Sequence, residues 1–183
     1  MTGPGPDGDK LLFTPGPLST TLSVKEAMLR DLGSRDVAFI AVIREIRERL
    51  VALGGGDPAE YTAIPMQGSG TFGLEAVVAS TIAPDGKLLV ATNGAYGKRL
   101  VTIAQTLGVA VTDLSFAERE PVDPGAVAAA LDGDPAITHV SVCHCETTSG
   151  VLNPVAAIGA VTHGRDVRLL VDAMSTFGAL PVD

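Results

Sequence analysis

The sequence has only two cysteines, Cys143 and Cys145. They lie too close together to frame a small disulfide-built domain. Positive charge is also scarce: Lys plus Arg number 13 against 21 Asp plus Glu, a formal charge of −8. Gripping a nucleic-acid backbone needs a cationic face, so DNA and RNA are excluded as main partners. A small anion held by backbone amides in a local pocket is not excluded. No apolar run approaches the ~18 residues that a membrane-spanning helix needs. The opening MTGPGPDGDK is polar and glycine-rich, unlike a secretory signal. What is present is 183 residues, 46% of them hydrophobic. That is enough for one domain with a real core, and too apolar for a disordered chain. The expectation is a soluble, cytoplasmic α/β domain.

Residues 1–10 read as a flexible leader, followed by LLFTPGP at 11–17. SVKEAMLRDL predicts a helix from Ser23, its cap, with Glu26 three residues on. A second helix is predicted from about Val37 to Leu53, where Arg44, Glu45, Arg47, Glu48 and Arg49 interleave with Ile43, Ile46 and Leu50. The glycines at 54–56 stop it. YTAIPM, residues 61–66, is a strand candidate weakened by Pro65. A regular alternation then begins. Helices are predicted over 71–80, 96–107, 123–131 and 154–161, and strands over KLLVAT, VAVTDL, ITHVSVCH and VRLLVDA. Strands separated by helices predict parallel pairing, and their near-continuous apolar runs predict a sheet covered on both faces.

Four segments carry candidate chemistry. QGSGTFG, Gln67 to Gly73, fits G-x-G-x-x-G. A dinucleotide loop requires an acid at the end of the next strand to hold the ribose, and KLLVATNG has none. No GK[ST] follows, which excludes a Walker loop. The loop still suits a phosphate: its glycines permit close backbone approach, Ser69 and Thr71 carry hydroxyls, and it opens a helix with unpaired N–H groups. The plain alternative is a strand-to-helix turn capped by Ser69. NGAYG places Tyr96 just past a strand, either facing a ligand or packed in the core. CHCETTSG, 143–150, lacks the spaced pairs of a zinc site, and its cysteines serve equally well as buried structural thiols. In VDAMSTFG, Asp172 ends an apolar strand, where a carboxylate is costly unless partnered. It is suited to a protonated ring nitrogen, as pyridoxal phosphate (PLP) presents, or to capping the next turn.

Taken together and in order, LLFTPGPLSTTLSVKEAMLRD, QGSGTFGLEAV, TNGAYG, HCETTSGVLNP and VDAMSTFG resemble the N-terminal portion of the 2-aminoethylphosphonate:pyruvate aminotransferases, from Leu11 through Asp183. These belong to the class V, fold-type I PLP-dependent aminotransferases. The resemblance implies a three-layer α/β fold with a mostly parallel sheet, residues 11–183 forming the N-terminal part of the cofactor-binding large domain. It implies that Ser69, Gly70 and Thr71 cradle the cofactor phosphate, that Tyr96 stacks on the ring, that Thr148 lies near the phenolic oxygen and that Asp172 partners the ring nitrogen. Thr14, Pro15 and Gly16 would line the substrate entrance.

The implied reaction is ping-pong transamination of 2-aminoethylphosphonate with pyruvate, giving phosphonoacetaldehyde and alanine, in a homodimer. Alanine–glyoxylate or serine–pyruvate transamination is the alternative, because the cofactor residues are largely shared. The family's cofactor-binding lysine, its substrate-binding arginine and its small domain are expected beyond Asp183. The lysines here are Lys10, Lys25, Lys87 and Lys98, and none follows VDAMSTFG. The 183 residues alone are therefore expected to be inactive, or to act as a non-catalytic folding or dimerisation partner. GSRDVAFI at 33–40 and Ser149 depart from the family wording, and neither touches Asp172 or the Ser-Gly-Thr loop.

Overall fold

Leu88, Leu89, Val90 and Ala91 are all buried, so the strand that carries them, β1 (Lys87–Thr92), is covered on both faces. A computed structural model of the chain describes residues 11–14 and 16–180. The leader at 1–10 and Pro15 lie outside the described residues. The described chain divides into two units, one ending at Ile64 and the other beginning at Pro65.

The second unit holds the sheet. Strands β1, β2 (Ala110–Ser115), β3 (Ile137–Cys143) and β6 (Arg168–Asp172) pair in the order β2-β1-β3-β6, every pair parallel. The period of two along a strand sends alternate side chains to opposite faces. Leu88 and Val90 pack with Val78 and Ile82 at the end of α3 (Gly70–Thr81) and with Leu100, Ile103 and Ala104 of α4 (Ala95–Thr106). Leu89 and Ala91 pack with Val127 and Leu131 of α5 (Pro124–Gly133) and Ile158 of α6 (Val155–His163). Val140 and Val142 of β3 join that second layer. The predicted α/β fold with helices on both faces is observed. A short hairpin, β4 (Cys145–Glu146) with β5 (Val151–Leu152), follows β3 directly and was not anticipated.

The chain passes from β1 through α4 to β2 on one side, then through α5 back across β1 to β3. The order reverses between β1 and β3, and in open parallel sheets ligands bind at the carboxyl ends beside such a reversal.

In the first unit, α2 (Val37–Leu53) matches its sequence pattern, with Asp36 at the N-cap and Gly54 at the C-cap. Two expectations there are corrected. The first helix is α1 (Leu22–Ala27), capped by Thr21, whose hydroxyl accepts from the Val24 N–H; it is shorter than predicted and Ser23 lies inside it. None of its residues is buried, so no packed face supports further turns. Residues 61–66 form no strand. The Arg47 side chain takes the Ala63 carbonyl and the Thr62 hydroxyl, and Pro65 has no N–H to give a ladder.

Candidate active site

The site is built on Glu146, which lies within the CHCETTSG segment but is assigned no role from the sequence. Its carboxylate is fully buried just past β3. Oε2 accepts from the backbone N–H groups of Tyr96 at 3.2 Å and Gly97 at 3.4 Å, in the first turn of α4. Oε1 accepts the Thr148 hydroxyl at 2.9 Å and the Thr148 N–H at 3.4 Å. One buried carboxylate thus satisfies the open end of α4, where the helix dipole favours negative charge, and fixes Thr148 beside it. It also explains Gly94 in NGAYG: a Cβ there would overlap the Glu146 side chain. Because the Thr148 hydroxyl spends its proton on Glu146, its oxygen is left as an acceptor.

Beneath this lies a buried amide pair. Asn93 Nδ2 donates to Asn153 Oδ1 at 2.9 Å, and Asn153 Nδ2 returns a bond to Asn93 Oδ1 at 3.2 Å. Asn153 also donates to the Cys143 carbonyl at 2.8 Å and accepts from the Val122 N–H at 2.9 Å. Asn93 reaches the Glu120 carbonyl at 3.0 Å. The segments leaving β1 and β3 are therefore pinned to each other below the site.

Ser69 is the N-cap of α3, its hydroxyl accepting from the Phe72 N–H at 3.2 Å. Gly68 has φ +153°, a backbone region that side chains rarely enter. The N–H groups of Gly70 and Thr71 open the helix with no partner inside it, the usual condition for anion binding. Thr71 Oγ1 accepts from Arg99 Nη1 at 3.3 Å, and the Arg99 guanidinium lies over the Tyr96 ring, 5.0 Å from its centroid. Arg99 forms no ion pair with a carboxylate among the described residues. The α3 loop is thereby linked to Tyr96, and Tyr96 in turn to Glu146 and Thr148.

Asp172 ends β6, opposite Cys143 of β3. Its Oδ1 accepts from the Met174 N–H at 3.0 Å, so the turn-capping role left open by the sequence is filled; the carboxylate makes no other hydrogen bond among the described residues. The backbone here is held by His144, whose N–H donates to the Asp172 carbonyl at 2.8 Å and whose Nδ1 lies 3.0 Å from the Thr176 hydroxyl. A Cβ on Gly70 would run into the Met174 side chain, so the α3 loop and the segment after Asp172 meet.

Burial first, and then the charges of Asp172 and Glu146, push the Cys143 thiol up to about 12. It remains a thiol at neutral pH, donates to the Cys145 carbonyl, and is not a nucleophile. Among the described residues no cluster of three or more His, Cys, Asp or Glu is placed to hold a metal.

Of the residues singled out in the sequence, Ser69, Gly70, Thr71, Tyr96, Thr148 and Asp172 all sit at the carboxyl-end side of the sheet or at the start of α3. Thr14 and Gly16 belong to the first unit, where the Thr14 hydroxyl donates to the Pro17 carbonyl. Pro15 lies outside the described residues.

This arrangement has relatives. The aminotransferase class-V family model matches residues 21–183. The chain belongs to the class-V aminotransferases. A 2-aminoethylphosphonate–pyruvate transaminase from Rhizobium meliloti (strain 1021) is 50% identical over 174 residues, which is 95% of this chain and 45% of that protein. Among solved structures, pyridoxamine–pyruvate aminotransferase from Mesorhizobium loti matches with a TM-score of 0.84 at 32% identity, over 94% of this chain and 44% of that one. Ureidoglycine–glyoxylate aminotransferase from Bacillus subtilis matches with a TM-score of 0.85 at 30% identity, over 93% of this chain and 43% of that one. The class-V chain described here thus spans a little under half the length of these relatives. Its sheet is that of the fold-type I PLP-dependent transferases.

Proposed function

We propose that these residues form the cofactor-gripping part of a PLP-dependent transaminase that moves the amino group of 2-aminoethylphosphonate to pyruvate. One observation carries the cofactor: the site is electrically divided. At one side are the opened N–H groups of α3, the Thr71 hydroxyl and Arg99, which forms no ion pair with a carboxylate among the described residues. At the other is the Asp172 carboxylate, with one oxygen free of hydrogen bonds among the described residues. The Gly70–Met174 approach holds the two sides together. A small molecule with a phosphate at one end and a cationic ring at the other matches that division, and PLP is such a molecule.

When bound, PLP supplies an aldehyde that takes up amino groups and a pyridinium that withdraws electrons. The chain's own residues do the rest. Gly70 and Thr71 N–H groups and the Thr71 hydroxyl hold the phosphate by fixed donors that need no reorganisation. Asp172 holds the ring-nitrogen proton; its tether to the Met174 N–H keeps it oriented. Tyr96 offers a flat ring whose position is set from below by Glu146. Thr148, its proton committed to Glu146, accepts from a ring hydroxyl.

The phosphonate substrate rests on likeness: the relative named for it is 50% identical, against 32% for the pyridoxamine–pyruvate enzyme. We further propose a cytoplasmic homodimer, as the family resemblance implies; separately, no helix among the described residues is long and apolar enough to cross a membrane. The 183 residues alone are proposed to bind PLP without turnover. Lys87 starts β1, at the end of the strand away from the site, where it pairs with Asp134 at 2.6 Å; Lys98 is exposed on α4.

The test is the absorbance of the purified chain titrated with PLP, then reduced with borohydride and peptide-mapped, with alanine formation from 2-aminoethylphosphonate and pyruvate followed in parallel. Saturable binding without a fixed adduct and without alanine is expected. A lysine adduct with alanine formation would overturn the inactive-alone part, and no binding at all would overturn the cofactor part.

A further inference from the structure

We infer that Arg99 is a positioning residue for the cofactor phosphate, acting through Thr71; this rests on the PLP reading above. Arg99 lies one turn into α4, exposed, four residues after the helix starts. A free arginine at such a place ordinarily points into water or pairs with a carboxylate. This one, though exposed, is held by two other groups and pairs with no carboxylate among the described residues. It donates to Thr71 Oγ1 at 3.3 Å and lies over the Tyr96 ring at 5.0 Å.

The direction of the hydrogen bond matters. A threonine hydroxyl has one proton to give. With the guanidinium occupying a lone pair of Thr71 Oγ1, that proton is free to turn toward an anion at the start of α3. Accepting from a cation also polarises the hydroxyl and makes it a better donor. Thr71 is the second residue of α3 and has no carbonyl of its own helix one turn back; without Arg99 its hydroxyl is free to rotate and give its proton to water. The same guanidinium supplies a positive charge beside the anion and steadies the ring of Tyr96 from its face. A lysine could not do both, because an ammonium is a point charge without a planar fork.

The experiment measures binding of PLP and of unphosphorylated pyridoxal to the 183-residue chain by quenching of tyrosine emission. The chain has no tryptophan and two tyrosines, Tyr61 and Tyr96, so the signal is readable. The variants are Arg99→Ala, Arg99→Lys, Thr71→Val and the double variant Arg99→Ala with Thr71→Val. Arg99→Ala is expected to weaken PLP about tenfold, the size of one hydrogen bond to a charged group, and pyridoxal much less. Arg99→Lys is expected to recover only part of that loss. In the Thr71→Val background, removing Arg99 is expected to cost only about two- to threefold, because partners that act as a unit are not additive. Circular dichroism of each variant confirms that it is folded, and Arg99→Lys keeps the test open if Arg99→Ala is not. Equal loss for PLP and pyridoxal, full additivity with Thr71→Val, or binding unchanged by Arg99→Ala each overturns the inference while leaving the cofactor reading intact. A wild-type chain that binds neither compound overturns the cofactor reading and this inference with it.

Discussion

Replacing Glu146 by glutamine should destabilise the chain and turn the Thr148 hydroxyl around. The carboxylate accepts four donors, the Tyr96 N–H being shared between its two oxygens, and has no exposed surface. An amide of the same shape keeps one acceptor. If its oxygen stays on the Tyr96 and Gly97 N–H groups, its NH₂ faces Thr148; the hydroxyl can reverse and accept, but the Thr148 N–H loses its partner. The opposite orientation sets an NH₂ against two backbone N–H groups and is worse. In the better orientation the N–H of Thr148 is stranded; Thr148 is exposed, so water takes up part of the loss, and that together with the 3.4 Å length puts the cost at the low end of about 1–3 kcal/mol. Loss of negative charge at the start of α4 adds up to about 1 kcal/mol. The expected loss is therefore about 2 kcal/mol, read as a lowered urea midpoint at unchanged m-value. Glu146→Ala should lose more, since all four donors are stranded beside a void. Glu146→Gln within about 0.5 kcal/mol of wild type, the usual range for a surface change, would refute the idea that this carboxylate organises the site.

Asn153→Leu should cost about 3 kcal/mol or more, because it strands the Val122 N–H, the Cys143 carbonyl and the Asn93 amide together; converting Asn93 to leucine as well should cost less than the two single losses combined, which a double-mutant cycle in urea would read. Asp172→Asn keeps an acceptor for the Met174 N–H, so its urea midpoint should hold while its affinity for PLP falls about tenfold with the loss of a charged partner. His139 gives a pH dependence: burial, then the Arg168 charge, lowers its pKa below the usual imidazole value. Protonation therefore favours the unfolded chain. Its share of stability is complete above about pH 6.5, the unfolded value, and is lost as pH falls through the lowered folded value. His139→Asn should flatten that acid limb in urea titrations at stepped pH.

The elements that the sequence disclosed were those whose signal is local. Leu88 to Ala91 is apolar on both faces, and α2 alternates charge with Ile43, Ile46 and Leu50, so each shows its period within its own residues. Ser69 is visible as a cap because cap and helix adjoin. Asp172 was conspicuous because a carboxylate closing an apolar strand is costly unless partnered. The misses were non-local. Nothing beside Glu146 shows that it closes a helix 50 residues earlier, though Gly94 in NGAYG was a trace of that approach. Asn93 and Asn153 find each other across 60 residues. Arg99 meets Thr71 across 28 residues, and nothing adjoining either residue in the sequence shows that approach. The wrong strand at 61–66 and the overlong first helix share a cause: local propensity was read where a side chain of α2, or the absence of a buried face, decides.

The central claim is that one divided site takes PLP, phosphate toward α3 and ring nitrogen toward Asp172. Amide chemical shifts of the ¹⁵N-labelled chain during a PLP titration test it most directly. The account predicts saturable shifts at Gly70, Thr71 and Phe72, at Tyr96 and Gly97, at Thr148, and at Asp172 through Met174, with inorganic phosphate moving only the first group. Shifts confined to other parts of the chain, or phosphate moving the residues around Asp172, would contradict it.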